Sequence, residues 1–419
     1  MTAPVLNSQS NYEAQAGFVA ELATRLHAYG TTSQRLEGAV MGVAQRLGLE
    51  CEVWSNPTGI ILSFADPVRG QQNGITRVLR LAPGDQNLGR LAATDAIAED
   101  VLAGRMDPVA GLAALKALDR PPSRRSQALN AFSFGLSAAA VAALLGAGWP
   151  GIATAGLIGI VIGVMFVLGA GRPRLSEALE AIAALVATLL AAAVATWVAP
   201  LSLNTVIISS LIVLMPGLML TNAVSELSSQ HLMSGTARFA GAMMILMKLT
   251  FGTVAAMQIV GLLGWVPQEA AAVPLMPMEA LLALLVAAYA FAVLFQASAR
   301  DYPLVMVAVL LGYALTRLGG EVLGLASDNF AGGAFFAGMG VAAISNFYGR
   351  WRNRPGALIR VPGIILLVPG SVGFRSLNFV MERDVWLGLD TAFVLLSALI
   401  AIVAGLLFGN LIVPSRRNI

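Results

Sequence analysis

Leu211-Ile212-Val213-Leu214-Met215-Pro216-Gly217-Leu218-Met219-Leu220 is apolar from end to end, with Pro-Gly in its middle. With its flanks the run is long enough to lie in a membrane. Proline removes a backbone donor and clashes with the preceding turn, and glycine loosens the residue after it. In hydrocarbon such a break is tolerated only where the freed backbone groups face protein, water or a ligand. The device recurs 153 positions later in Ile364-Ile365-Leu366-Leu367-Val368-Pro369-Gly370. Paired breaks suggest a transporter of two related halves with its site where the helices break.

Composition agrees. Of 419 residues 57% are apolar and only 12% charged, and mean hydropathy is +0.76. A soluble chain would carry about twice that charged fraction. The expected class is a multi-span α-helical membrane protein, with the lipid bilayer as its surroundings. A net charge of +3 is too small for a nucleic-acid footprint. The single Cys51 excludes an intramolecular disulfide, and His27 and His231 stand far apart, so neither a metal nor a cofactor is expected. The first 30 residues are polar or amphipathic, so no cleavable signal peptide is expected.

Residues 1–125 carry ordinary charge and no span-length apolar run. Phe18, Val19, Leu22, Leu26 and Tyr29 recur at helical spacing and stop at Gly30. Thr31-Thr32-Ser33 offers an N-cap for a second helix striped by Leu36, Val40, Val43, Ala44 and Leu47. Two strands are expected around the turn Ser55–Gly59, and a third at Arg77–Leu81, with Asn73-Gly74 and Pro83-Gly84 as turns. Helices follow at about 86–104 and 108–118, the second opened by Asp107-Pro108. This small α+β domain shows no nucleophile–base pair and no phosphate-binding glycine loop. Cys51 and His27 read as structural, and Asp95, Glu99 and Asp100 as a solvated face.

After the linker Asp119–Arg125, ten spans are expected: about 129–147, 150–170, 177–199, 203–222 and 238–263, then 280–299, 302–320, 329–348, 357–378 and 389–413. Arginine placement orients them. With the first domain cytoplasmic, that side holds Arg120, Arg124, Arg125, Arg172, Arg174, Arg300, Arg350, Arg352, Arg354, Arg360, Arg416 and Arg417. The other side holds Arg317, Arg375 and Arg383, near Glu321, Glu382 and Asp384. Both termini come out cytoplasmic. Sliding the chain by 153 also brings Trp149-Pro150 onto Tyr302-Pro303, Gly159 onto Gly312, Gly235 onto Gly388 and Gly252 onto Gly405. Five spans per half is odd, so the second half enters from the opposite side. The expectation is two inverted five-helix repeats, 126–270 and 271–419.

Leu26–Thr32, Ala44–Leu49 and Pro57–Phe64 resemble the first domain of the threonine/serine exporter family, and Val361–Ile364 with Leu366–Ser371 its second. The resemblance implies a bacterial inner-membrane carrier, multi-pass, that expels small hydroxy amino acids on the proton motive force. Related two-protein systems are associated with succinate export, so a dicarboxylate exporter is the alternative. A membrane-bound hydrolase working through the soluble domain, and a channel, are the readings from other classes. No family signature assigns site residues.

An amino acid needs partners for both its charges, and half-helix ends supply them. The backbone around Pro216, Gly217, Pro369 and Gly370 is therefore the expected substrate site, with Thr221, Asn222, Ser371 and Arg375 beside it. Arg375 could clamp a carboxylate, or pair with Glu382 or Asp384. Lys248 sits inside an apolar run, where charge is costly, and is a candidate for proton coupling or a snorkelling side chain. Glu226 is the second proton-coupling candidate. The expected partners are thus an amino-acid substrate and protons; self-association into a homo-oligomer is left open.

Overall fold

The computed structural model describes residues 3–66, 70–273, 276–322 and 330–415. Arg416, Arg417 and the Glu321 side chain, used above for orientation, lie outside the described residues. The protein is about 75% helical, with one three-stranded sheet near its start.

Helix α1 (Ala3–Ala28) buries Phe18, Val19, Leu22 and Leu26. It stops where Gly30 turns to φ +82°, a region that costs a side chain dearly. Helix α2 (Ser33–Arg46) lays Leu36, Val40, Val43 and Ala44 against the same core. The antiparallel strands β1 (Cys51–Asn56), β2 (Gly59–Asp66) and β3 (Gly70–Arg80) run in the order 1-2-3, with Ile60, Leu62 and Phe64 of β2 buried at period two. Helices α3 (Leu88–Leu102) and α4 (Pro108–Ala117) are capped by the side chains of Asn87 and Asp107. These elements share one apolar core and form an N-terminal α+β layer.

Three local expectations change. Asn73-Gly74 is not a turn but part of β3; a Cβ on Gly74 would lie 2.6 Å from Phe64 O, beside a register shift between Phe64 and Asp66. Thr32 occupies the N-cap of α2 without a side-chain bond. Asp95 is buried, not on a solvated face.

The remainder is a helix bundle: α5 (Arg124–Leu144), α6 (Trp149–Gly169), α7 (Pro173–Trp197), α8 (Leu203–Ser210), α9 (Gly217–Ser228), α10 (Leu232–Leu262), α11 (Pro277–Leu294), α12 (Tyr302–Val322), α13 (Phe330–Arg352), α14 (Ala357–Ile364), α15 (Gly370–Met381) and α16 (Val385–Ile412). Among the described residues, seven helical stretches are long and apolar enough to cross a membrane, or eight if the pair α8–α9, bent by 51°, is one span. Leu157, Val161, Val164 and Leu168 stand exposed along α6, as a lipid-facing helix requires. The chain is a multi-pass membrane protein. The two other expected spans coincide with α13 and with α14–α15, which fall outside that set: α14 has only eight residues and carries Arg360, and α13 begins at the edge of the described residues.

The helix starts recur at a nearly constant offset. α5, α6, α9 and α10 start 153 residues before α11, α12, α15 and α16; α8 starts 154 before α14, and α7 157 before α13. Glycine contacts repeat too. A Cβ on Gly235 would lie 2.9 Å from Ala223 O, and one on Gly388 3.0 Å from Ser376 O, so α10 sits on α9 as α16 sits on α15. Gly252 is pressed against Ala181 O of α7, and Gly405 against Phe335 O of α13. Without hydrophobic drive between helices in lipid, small residues that permit such backbone approach hold the bundle together. The buried alanine face of α7 (Ala183, Ala184, Ala187, Ala191, Ala195) serves the same end.

Candidate functional site at the paired helix breaks

The two breaks have the same shape. Pro216 sits at φ −80°, ψ 41° and Pro369 at φ −84°, ψ 44°. In each, the glycine N–H after the proline donates two residues back, Gly217 to Met215 O (2.8 Å) and Gly370 to Val368 O (2.9 Å). They also touch. A Cβ on Gly370 would lie 3.1 Å from Gly217 N and 3.2 Å from Gly217 Cα, and one on Gly217 would strike Val368. Only two glycines allow α9 and α15 to begin this close together. Helix N-termini leave amides without intrahelical partners and carry partial positive charge, so the crossing suits an anion or a polar ligand.

A cavity of about 680 Å³ opens between the N-terminal layer and the bundle. Leu218, Asn222 and Ser225 line it at helical spacing from the first break downwards; Arg360, Val361 and Ile364 of α14 line another side. Gln34, Arg35 and Gln45 of α2 close it from the N-terminal layer. Arg360 donates to Ser345 Oγ (3.4 Å), Asn346 Oδ1 (2.8 Å) and Asn410 Oδ1 (2.9 Å), all neutral oxygens. Arg354, also on the lining, is forked on the buried Asp301 at 2.6 and 2.8 Å.

The N-terminal layer is tied to both halves of the bundle. Glu226, near the end of α9 and only 1% exposed, accepts from Arg238 Nε (3.1 and 3.0 Å), Ser234 Oγ (2.7 Å) and the backbone N–H of Ser33 (2.9 Å). The carboxylate thus does for α2 what the Thr32 side chain does not: it takes a free amide at the positive end of the helix. Beside it His231 Nε2 lies 3.1 Å from Glu37 Oε2, and Glu37 Oε1 accepts from Ser55 N at 2.7 Å. At the second half, the N–H groups of Leu88 and Gly89, opening α3, donate to Phe295 O and Gln296 O beyond α11, and Asn87 Nδ2 donates to Gln296 Oε1.

Of the residues expected at the site, Pro216, Gly217, Pro369 and Gly370 come together, and Asn222 faces the cavity. Thr221 is buried with its hydroxyl unpartnered. Ser371 is half-buried and Arg375 exposed; neither lines the cavity, and Arg375 forms no ion pair with Glu382 or Asp384. Lys248 Nζ donates to Glu177 O (2.6 Å) and lies 3.5 Å from Glu180 Oε2, reaching the first turns of α7. Its helix has 31 residues, about 46 Å at ~1.5 Å each, longer than a bilayer core of ~30 Å. His27 is buried with Nε2 3.1 Å from Asn56 O, and burial holds its pKa below the usual imidazole value. Burial, with Glu52 adding to it, pushes the Cys51 thiol up to about 11, away from a reactive thiolate. Among the described residues no cluster of His, Cys, Asp or Glu could hold a metal ion.

Reading the sequence missed Arg35, Arg238 and Asn410, and treated Arg360 only as a topological charge. The available signal for Arg360 was its position within a broken helix, nine residues before Pro369.

A family model for threonine/serine exporters matches residues 17–260, and a second model of the same description matches residues 280–412. An uncharacterized protein of Schizosaccharomyces pombe is 21% identical over 396 residues, which cover 91% of this chain and 46% of that protein. The chain thus spans about half the length of that relative. No solved structure matches.

Proposed function

The chain belongs to the threonine/serine exporter family, and from that premise we propose that it is a secondary exporter of small hydroxy amino acids, driven by the proton motive force. The observation that carries the mechanism is the contact between the two Pro-Gly breaks, each on a helix whose partner recurs 153 residues away. Ten crossings, counting α13 and α14–α15, make two five-helix repeats of opposite orientation, an inner-membrane topology with both termini cytoplasmic. Exchange of the two halves' conformations then converts an inward-facing state into an outward-facing one around the crossing. The cavity beside the N-terminal layer is the cytoplasmic entry. The proton path runs through Lys248 or Glu226.

The lining favours one second reading. Its charged side chains are all arginines, and no Asp or Glu among the described residues lines it. A dicarboxylate has two anionic ends to offer such a wall, where a zwitterion has one. Efflux of labelled threonine from proteoliposomes, with and without an uncoupler and with succinate as competitor, separates the readings. Threonine efflux that collapses with the gradient is expected; gradient-independent flux would make the protein a channel, and efflux of succinate alone would make it a dicarboxylate exporter. Pro216→Ala with Pro369→Ala should abolish efflux while the protein still inserts. Surviving transport would reduce the breaks to kinks.

A further inference from the structure

Arg35 is the one cavity charge that the protein's own hydrogen bonds and ion pairs leave unexplained. It lies in the first turn of α2, half-buried, on the wall of the cavity, with no hydrogen-bond or ion-pair partner among the described residues. The other lining arginines are accounted for: Arg354 is forked on Asp301, Arg46 is largely exposed, and Arg360 rests on three neutral oxygens. Glu226, the nearby carboxylate of the docking interface, is fully used by Arg238, Ser234 and Ser33.

A guanidinium half-withdrawn from water without an anion carries part of the cost of desolvating a charge. Burial lowers the Arg35 pKa to about 10, which leaves it charged at neutral pH and adds no acid to balance it. An anion entering the cavity would offset that cost, and would find in Arg360 a second guanidinium free of carboxylates. The rest of the wall offers neutral amides and hydroxyls, Asn222, Ser225, Asn410 and Gln34 among them, suited to a ligand's own hydroxyl or ammonium groups.

We infer that the cavity is a carboxylate-binding site shared between the N-terminal layer, which supplies Arg35, and the bundle, which supplies Arg360. The inference rests on the exporter reading for the direction of access, though not for the ligand's chemistry. It makes the N-terminal layer a part of the binding site, so substrate loading and docking of the layer are one event. A charge-assisted hydrogen bond contributes about 1.5–3 kcal/mol, so removal of Arg35 should weaken carboxylate binding about tenfold or more.

The test uses the purified full-length protein in detergent, with ligand affinity read from thermal stabilisation. L-threonine, succinate and L-threoninol, which lacks the carboxylate, are titrated against the wild type, Arg35→Gln, Arg35→Lys and Arg360→Gln. Because Arg35 has no partner among the described residues, neither Arg35 variant should lower the unliganded midpoint, and Arg35→Gln, which removes the uncompensated charge, should hold or raise it. Carboxylates are expected to bind the wild type and threoninol not to; Arg35→Gln and Arg360→Gln should each raise the Kd at least about tenfold, with Arg35→Lys in between. Wild-type affinity in Arg35→Gln, threoninol bound as tightly as threonine, or no carboxylate bound at all would overturn the inference. Should Arg35→Gln lower the unliganded midpoint, Arg35→Lys carries the test, and wild-type carboxylate affinity when Gln and Lys behave alike overturns it. Arg35-dependent binding of succinate without threonine would uphold this site and refute the hydroxy amino-acid reading. Threonine export unimpaired in Arg35→Gln would do the reverse.

Discussion

Glu226 offers the sharpest single perturbation, because docking and proton coupling predict different outcomes for it. The side chain is 1% exposed and its partner Arg238 is 11% exposed, with both carboxylate oxygens 3.0–3.1 Å from Nε. The exposed-pair figure of ~0.2–1 kcal/mol therefore does not apply. Glu226→Ala strips Arg238 of its anion and leaves Ser234 Oγ and the Ser33 amide without their acceptor. Breaking a buried pair from one side costs about 3–5 kcal/mol, most of it from the stranded charge. The double change Glu226→Ala with Arg238→Ala removes that stranded charge, so the two losses should not add. A coupling of about 1–3 kcal/mol is expected from a cycle of the four proteins, read by denaturant or thermal unfolding in detergent. Additive losses, or an unchanged Glu226→Ala, would refute the anchor. Transport supplies the second arm. If Glu226 only anchors α2, Glu226→Gln with Arg238→Met should keep export gradient-dependent. Export that survives Glu226→Gln but no longer responds to an uncoupler would make this carboxylate the proton carrier.

Gly217→Val and Gly370→Val place a side chain where the breaks touch, against Val368 in the first case and 3.1 Å from Gly217 N in the second. Overpacking of this kind costs about 1–3 kcal/mol. A lowered unfolding midpoint and lost efflux are expected, whereas Gly261→Ala, with nothing within 4 Å of the new Cβ, should leave both intact. For His27, burial depresses the folded-state pKa below 6.5, so the unfolded chain binds the proton more readily. The neutral ring's stabilisation is complete above the unfolded pKa and is lost as pH falls below it. Stability of the N-terminal layer should drop on acidification from pH 7.5 to 5, and His27→Gln should flatten that dependence in thermal unfolding. An identical pH profile in the variant would remove His27 as the cause.

The two helix breaks were legible because they rest on residues that fix backbone geometry. Proline and glycine at 216–217 and 369–370 forecast two breaks with nearly identical dihedral angles, and the same offset separates four pairs of helix starts. Legibility failed where a local group is satisfied from far away. Thr32 is a good N-cap type, yet its side chain caps nothing, and a free amide of that first turn, Ser33 N–H, goes to Glu226, 193 residues on. Asn73-Gly74 reads as a turn by its dipeptide, but Gly74 is needed in a strand because Phe64 O passes too close for a side chain.

The site was half legible for a related reason. Each break is a local pattern; that they press on one another is a fact about two segments 153 residues apart. Arg35 is harder still. Helix α2 is amphipathic, with Leu36, Val40, Val43 and Ala44 in the core, and ordinary reasoning gives its polar face to water. Here Gln34, Arg35 and Gln45 on that face line a cavity closed by the bundle. Polarity forecasts that a side chain avoids the core, and is silent on whether it meets solvent or a cavity. Arg360 shows the same ambiguity from the other side: an arginine that orients a span and one that binds an anion look alike until its neighbours are known. What separates them is the partner. Arg354 has Asp301, so its charge is spent on structure; Arg360 has three neutral oxygens, and Arg35 has no partner among the described residues. Half-buried positive charge on a cavity wall, with no acid among the described residues to balance it, is the feature on which the proposed carboxylate site rests.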